Sequence, residues 1–128
     1  MMTQQKYLPR QLRAIASSYL IRQTAGAERV GGLEIYINRL SEPKGEIRVV
    51  KTFLGPDEVW NEIGNVGREA TAGIVEYAKE HNINLAWWDI ELRKFLFHPV
   101  NSRNEMYFFA AQNAFQAALN ACNAPLSK

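Results

Sequence analysis

Apolar and polar residues alternate along this chain with two periods, and the switches between them mark out its elements. Leu12, Ile15, Ala16, Tyr19 and Leu20 recur at the i, i+3, i+4, i+7, i+8 spacing of an amphipathic helix; Pro9 suits its first turn and Gly26 its end. The period then shortens. Residues 33–38 alternate strictly, and Ile47, Val49 and Phe53 share one phase further on, as two strands would. Between them Ser41, Glu42, Pro43, Lys44 and Gly45 are turn formers, which predicts a hairpin setting Ile37 opposite Val49 and Leu33 opposite Phe53.

Gly55, Pro56, Asp57 and Glu58 open a second helix that continues to His81, with Val59, Trp60, Ile63, Val66, Ala70, Ile74 and Tyr77 as its apolar stripe. Gly64, Gly67 and Gly73 interrupt it. An interior glycine costs about 1 kcal/mol relative to alanine, so either a neighbouring backbone packs closely there or the helix breaks near residues 64–67. Residues 85–90 and 95–97 form two short aromatic-rich runs, with a turn between them at residues 91–94. Ser102 and Glu105 have the spacing of a capping box, which starts a last helix running toward Cys122. The order is α-β-β-α-β-(β)-α. It predicts a single α+β domain over residues 1–128, a mainly antiparallel sheet packed against helices.

The last helix is the most distinctive part of the chain. From Met106 to Ser127 there is no Asp, Glu, Lys, Arg or His. Gln112, Asn113, Gln116, Asn120 and Asn123 gather into an amide stripe, while residues such as Tyr107, Phe108, Phe109, Ala111, Phe115 and Leu119 cover the remainder. A helix with so wide an apolar surface is expected to be covered on most sides, by the rest of the domain or by another chain.

Composition narrows the function more by exclusion than by assignment. The chain of 128 residues is 47% apolar, enough for a core without staples. One cysteine, Cys122, precludes an internal disulfide, and no secretory leader is evident, so a cytoplasmic location is expected. The five amides make the last helix a poor membrane span. Two histidines and one cysteine, at 81, 98 and 122, are too scattered for a structural zinc site, and residues 26–31 lack the Lys of a phosphate-binding loop. Asp89 and His98 would approach each other if the chain turns at residues 92–93, but no nucleophile is placed beside them. The expectation is therefore of no enzyme, no metal and no cofactor. Charge is uneven: residues 1–51 hold nine Lys/Arg against four Glu, and residues 52–128 hold six against nine acids.

Binding features carry more weight. Glu58, Glu62, Glu69, Glu76 and Glu80 fall within about 40° on the helical wheel, forming an acidic ridge that reads as a docking face or as an ordinary solvated one. The sequence Ile63-Gly64-Asn65-Val66-Gly67-Arg68 resembles the Ile-Gly-x-x-Gly element of KH domains, with Gly64 and Gly67 as the matching glycines. The resemblance covers residues 8–92. It implies a loop between two helices that clamps the backbone of single-stranded nucleic acid. Arg68, with Arg10 and Arg13 of the basic first segment, is expected to supply the phosphate contacts in place of a basic residue between the glycines. Asn65 and Val66 lack the basic residue usual between those glycines. The leading expectation is a non-enzymatic protein-binding module, a homodimer and a modulator or inhibitor. Its contact residues would be Gln112, Asn113, Gln116, Asn120, Asn123, Phe109, Glu62, Glu69 and Glu76, with nucleic-acid binding as the alternative.

Overall fold

The computed structural model describes residues 12–24, 27–50, 52–54, 63–96 and 104–123. Its first element is a strand, β1 (Arg13–Thr24), where helical spacing predicts a helix. Two periods coincide here. Ala14 and Ala16 are half-buried against the core while Arg13, Ile15 and Ser17 are exposed, a period of two that the helical pattern masks because Ala and Ser fit either face. β1 pairs antiparallel with β2 (Ala27–Arg39) from Arg13↔Asn38 through Thr24↔Ala27, so two paired strands replace the helix expected to end at Gly26.

The predicted hairpin between residues 33 and 53 is replaced by a different neighbour. β5 (Trp88–Leu96) lies antiparallel to β2 and also pairs in parallel with β3 (Ile47–Val49) and β4 (Phe53–Leu54), giving the order β1-β2-β5-β3. Ile37 faces Ile90, and Ile90 in turn faces Ile47. The reason is burial. Ile90 and Leu92 are fully buried and need sheet neighbours on both sides, whereas Val49 is 38% exposed and suits an edge. The segment before β3 is drawn across the end of β5 instead of folding back on β2: the Gly45 N–H donates to the Ala86 carbonyl at 2.7 Å, and a Cβ at Gly45 would collide with the Trp88 carbonyl.

No turn divides residues 91–94, and β5 is continuous. What the sequence marks there is a bulge. The β2–β5 register slips between Gly32 and Glu34, and Lys94 takes a left-handed φ of 53°. The extra residue shifts the alternation, so that Ile90, Leu92 and then Phe95 point into the core while Lys94 faces solvent. The Tyr19 hydroxyl donates to the Lys94 carbonyl at 2.8 Å, and the Lys94 N–H donates to Thr52 Oγ1 at 3.0 Å, which pins the bulge from both sides.

Two helices cover one side of the sheet. α1 (Ile63–Glu80) runs unbroken through Gly64, Gly67 and Gly73, and the last two glycines mark close approach. A Cβ at Gly67 would lie 2.9 Å from Val49 Cγ1, and one at Gly73 would strike the Phe108 carbonyl. After a short 3₁₀ turn (Leu85–Trp87) and β5, α2 (Asn104–Asn123) lies over β1 and β2 beside α1. Gly73 meets Phe108 and Tyr77 meets Phe115, so the helices run in the same direction. Leu33, Ile35, Ile37, Ile90 and Leu92 from the sheet, Val66, Ala70 and Ile74 from α1, and Tyr107, Ala111, Phe115 and Cys122 from α2 form one buried cluster. The α+β class, with a mixed sheet backed by helices, is the architecture.

Candidate interaction site

The C-terminal helix is half-covered by its own domain. Tyr107, Ala110, Ala111, Ala114, Phe115, Ala118, Leu119 and Cys122 are buried, spaced so that one side of α2 faces the sheet and α1. The small residues let the helix sit close: a Cβ at Gly31 would lie 3.2 Å from Met106 Cβ. The Tyr107 hydroxyl donates to the Leu96 carbonyl at 2.6 Å and anchors the first turn to β5.

The other side faces outward. Phe109 is 55% exposed, and Asn113, Gln116, Ala117, Asn120, Ala121 and Asn123 are exposed with it. The predicted amide stripe therefore divides. Gln112 turns inward, its Nε2 donating to the Gly73 carbonyl at 3.3 Å across the helix pair, while Asn113, Gln116, Asn120 and Asn123 line the outer surface. Phe109 stands edge-on to half-buried Phe108, centroids 5.3 Å apart. Beyond Glu105 this outer surface holds no charged side chain. On neighbouring α1, Glu69 and Glu76 are half-buried and Val75 is 47% exposed. Glu58 and Glu62 lie outside the described residues, as does Arg10.

The described residues that the KH-like reading names do not assemble. Gly64 and Gly67 belong to the first two turns of α1 and not to a loop, and Gly67 is buried against Val49. Arg68 is exposed on α1, on the helical side of the sheet, whereas Arg13 is exposed on the opposite side, between Leu12 and half-buried Ala14. The helix continues through these glycines because α1 has a strand and a second helix to pack against: Gly67 lets the Val49 side chain approach, and Gly73 leaves no room for a Cβ beside the Phe108 backbone.

The face of the sheet opposite the two helices carries a charge lattice that sequence patterning does not join up. Arg93 Nε meets Glu34 and its Nη1 meets Glu91, each at 2.8 Å; Arg48 meets Asp89 at 3.0 Å and Glu91 at 3.6 Å. The Arg93 guanidinium carbon also lies 5.4 Å from the Tyr36 ring centre. Both guanidinium pKa values are raised, Arg48 chiefly by its hydrogen bond to Asp89 and Arg93 chiefly by its bond to Glu91. The three carboxylates are thereby occupied. Asp89 serves Arg48, and its expected approach to His98 falls outside the described residues. Among the described residues no three His, Cys, Asp or Glu side chains stand ready to hold a metal ion, and no helix is long and apolar enough to cross a membrane.

One further arrangement has no counterpart among the sequence expectations. Arg39 occupies the inward phase of β2 after Leu33, Ile35 and Ile37, at the end of the strand, where its guanidinium lies over Trp87 and Trp88. The available signal was a cation in step with three buried aliphatic residues.

No family model and no curated protein matches the chain. Its fold is similar to part of a solved structure, ttk003000868 from Thermus thermophilus, with a TM-score of 0.67 at 18% identity over 88% of this chain. The chain spans 16% of that protein's length. The likeness is one of fold.

Proposed function

We propose that this chain is a non-enzymatic protein-binding module that pairs with a second copy of itself through the outer surface of α2, and that it acts by docking on other proteins as a modulator. The observation that carries the reading is the uncharged outer surface from Phe109 to Asn123, with Phe109 left 55% exposed. Amides both donate and accept, so a surface rich in Asn and Gln complements its own image across a two-fold axis without bringing like charges together. Desolvating amides costs far less than desolvating ions. A helix of 20 residues is about 30 Å long. A stable dimer needs about 800 Å² from each partner, so exposed Ala72 and Val75 on α1 would share the contact.

Sedimentation equilibrium across a wide concentration range tests the reading. A mass that rises to twice the chain mass supports it, as does a Gln116→Glu/Asn120→Glu variant that stays folded and monomeric. A wild-type chain that remains monomeric at millimolar concentration rejects self-association.

A further inference from the structure

Three arginines of the sheet differ in how their charge is met. Arg48 and Arg93 each contact two carboxylates. Arg39 contacts no carboxylate among the described residues. Its guanidinium carbon lies 5.0 Å from the Trp87 ring centre and 5.7 Å from that of Trp88, and its Nε–H is buried without a hydrogen-bond acceptor among them.

The backbone fixes this arrangement. The Arg39 N–H donates to the Leu12 carbonyl at 2.7 Å, the Leu40 N–H donates to the Trp87 carbonyl at 2.9 Å, and Arg39 pairs in register with Trp88. The two indoles offer a cation–π surface that orients the guanidinium plane but gives its donors nothing to bond. A buried donor without a partner is costly, and a half-buried cation without a counter-charge more so. Burial lowers the Arg39 pKa, though an arginine remains charged at neutral pH.

We propose that Arg39, held by Trp87 and Trp88, is a binding site for the oxyanion of a ligand, a phosphate or a carboxylate group. The oxyanion supplies a counter-charge that no carboxylate among the described residues provides, and accepts from the solvent-facing donors of the fork, beyond the buried Nε–H. Stacking holds the fork in advance, so little ordering is needed on binding. The site lies at the end of β2, where Arg39 pairs in register with Trp88.

Tryptophan fluorescence provides the test, because two of the chain's three tryptophans touch the guanidinium. In a Trp60→Phe background, sodium phosphate and sodium acetate are titrated separately against sodium chloride at constant ionic strength. A saturable change with either salt is expected, and the salt that saturates first identifies the group. Arg39→Gln should raise the half-saturation concentration about tenfold or more, and Arg39→Lys should fall between, as loss of a charge-assisted fork implies. Equal titrations in wild type and Arg39→Gln, or no saturable response to either anion, overturn the proposal. If Arg39→Gln does not fold, the Arg39 Nε–H resonance of the wild-type chain decides. Its displacement on adding the active salt supports the site, and an unmoved resonance overturns it.

Discussion

Helix α1 meets solvent with Asn65, Arg68, Lys79 and Glu80, whereas α2 beyond its first turn meets it with Phe109, Asn113, Gln116 and Asn120. Their inner sides are alike: Val66, Ala70, Ile74 and Ala78 on one, Ala111, Ala114, Phe115 and Ala118 on the other, all buried. The difference therefore lies in what each helix presents outside, not in what each contributes to the fold. Charged and polar residues make up the solvent-facing side of α1 apart from Ala72 and Val75. On α2 the same positions hold an exposed ring and uncharged amides, the surface on which the proposed self-association rests.

If the inner sides are equivalent, emptying either should be severe. Phe115→Ala removes a buried ring that meets Tyr77 edge-on at 5.7 Å. It should cost about 3–5 kcal/mol, and Ile74→Ala about 2–5 kcal/mol, both read from urea unfolding. A loss under about 1 kcal/mol at Phe115 would mean that α2 is not packed as a core element.

The seam between the helices separates them further. Alanine at Gly73 would gain helix propensity but press on the Phe108 backbone, which cannot turn aside, so a net loss of about 1–3 kcal/mol is expected. Alanine at Gly67 meets only the side chain of Val49, at 2.9 Å and on an edge strand, and should be close to neutral. Equal costs at the two glycines would show that the seam is looser than the geometry indicates. On the outer surfaces, Gln116→Glu with Asn120→Glu should weaken self-association at least about tenfold, through like charges facing one another across the axis. Ala72→Glu on α1 should weaken it less. Equal effects in sedimentation would move the contact from α2 to the helical layer as a whole.

Much of this comparison can be read from the sequence, because a helix advertises its period over many residues. The uncharged run after Glu105 marks α2, and three glycines in one apolar stripe point to close contact along α1. The strands are harder. In β1, Ala14, Ala16, Ser17 and Ser18 fit either period, and only the partner strand decides between them. The place of β5 between β2 and β3 depends on Ile90 and Leu92 needing neighbours on both sides, a long-range demand that no local turn signal expresses. The Lys94 bulge reads locally as a turn because both interrupt alternation. At the candidate site the amide stripe is legible, but the inward turn of Gln112 to the Gly73 carbonyl depends on the helix pair. The Arg39 stack joins residues 39 and 87, and no spacing rule connects them.

The smallest expected effect is a difference in pH response between the two helices. The fully buried residues of α1, Val66, Ala70, Ile74 and Ala78, do not titrate, while α2 fully buries Cys122. Burial raises the Cys122 thiol pKa, because the thiolate would lose its hydration. The folded state therefore holds this proton more tightly than the unfolded chain, whose thiol titrates near about 8.5. That contribution is complete below the unfolded value and is lost as pH rises through the folded one. Unfolding free energy should decline above about pH 8.5, and Cys122→Ala should flatten part of the decline. Tyr19 and Tyr77, both raised chiefly by burial, titrate in the two proteins alike, so the difference between wild type and variant isolates the thiol. Parallel pH curves for the two proteins would mean that the last turn of α2 admits water, and the equivalence of the two inner sides would then end before Cys122.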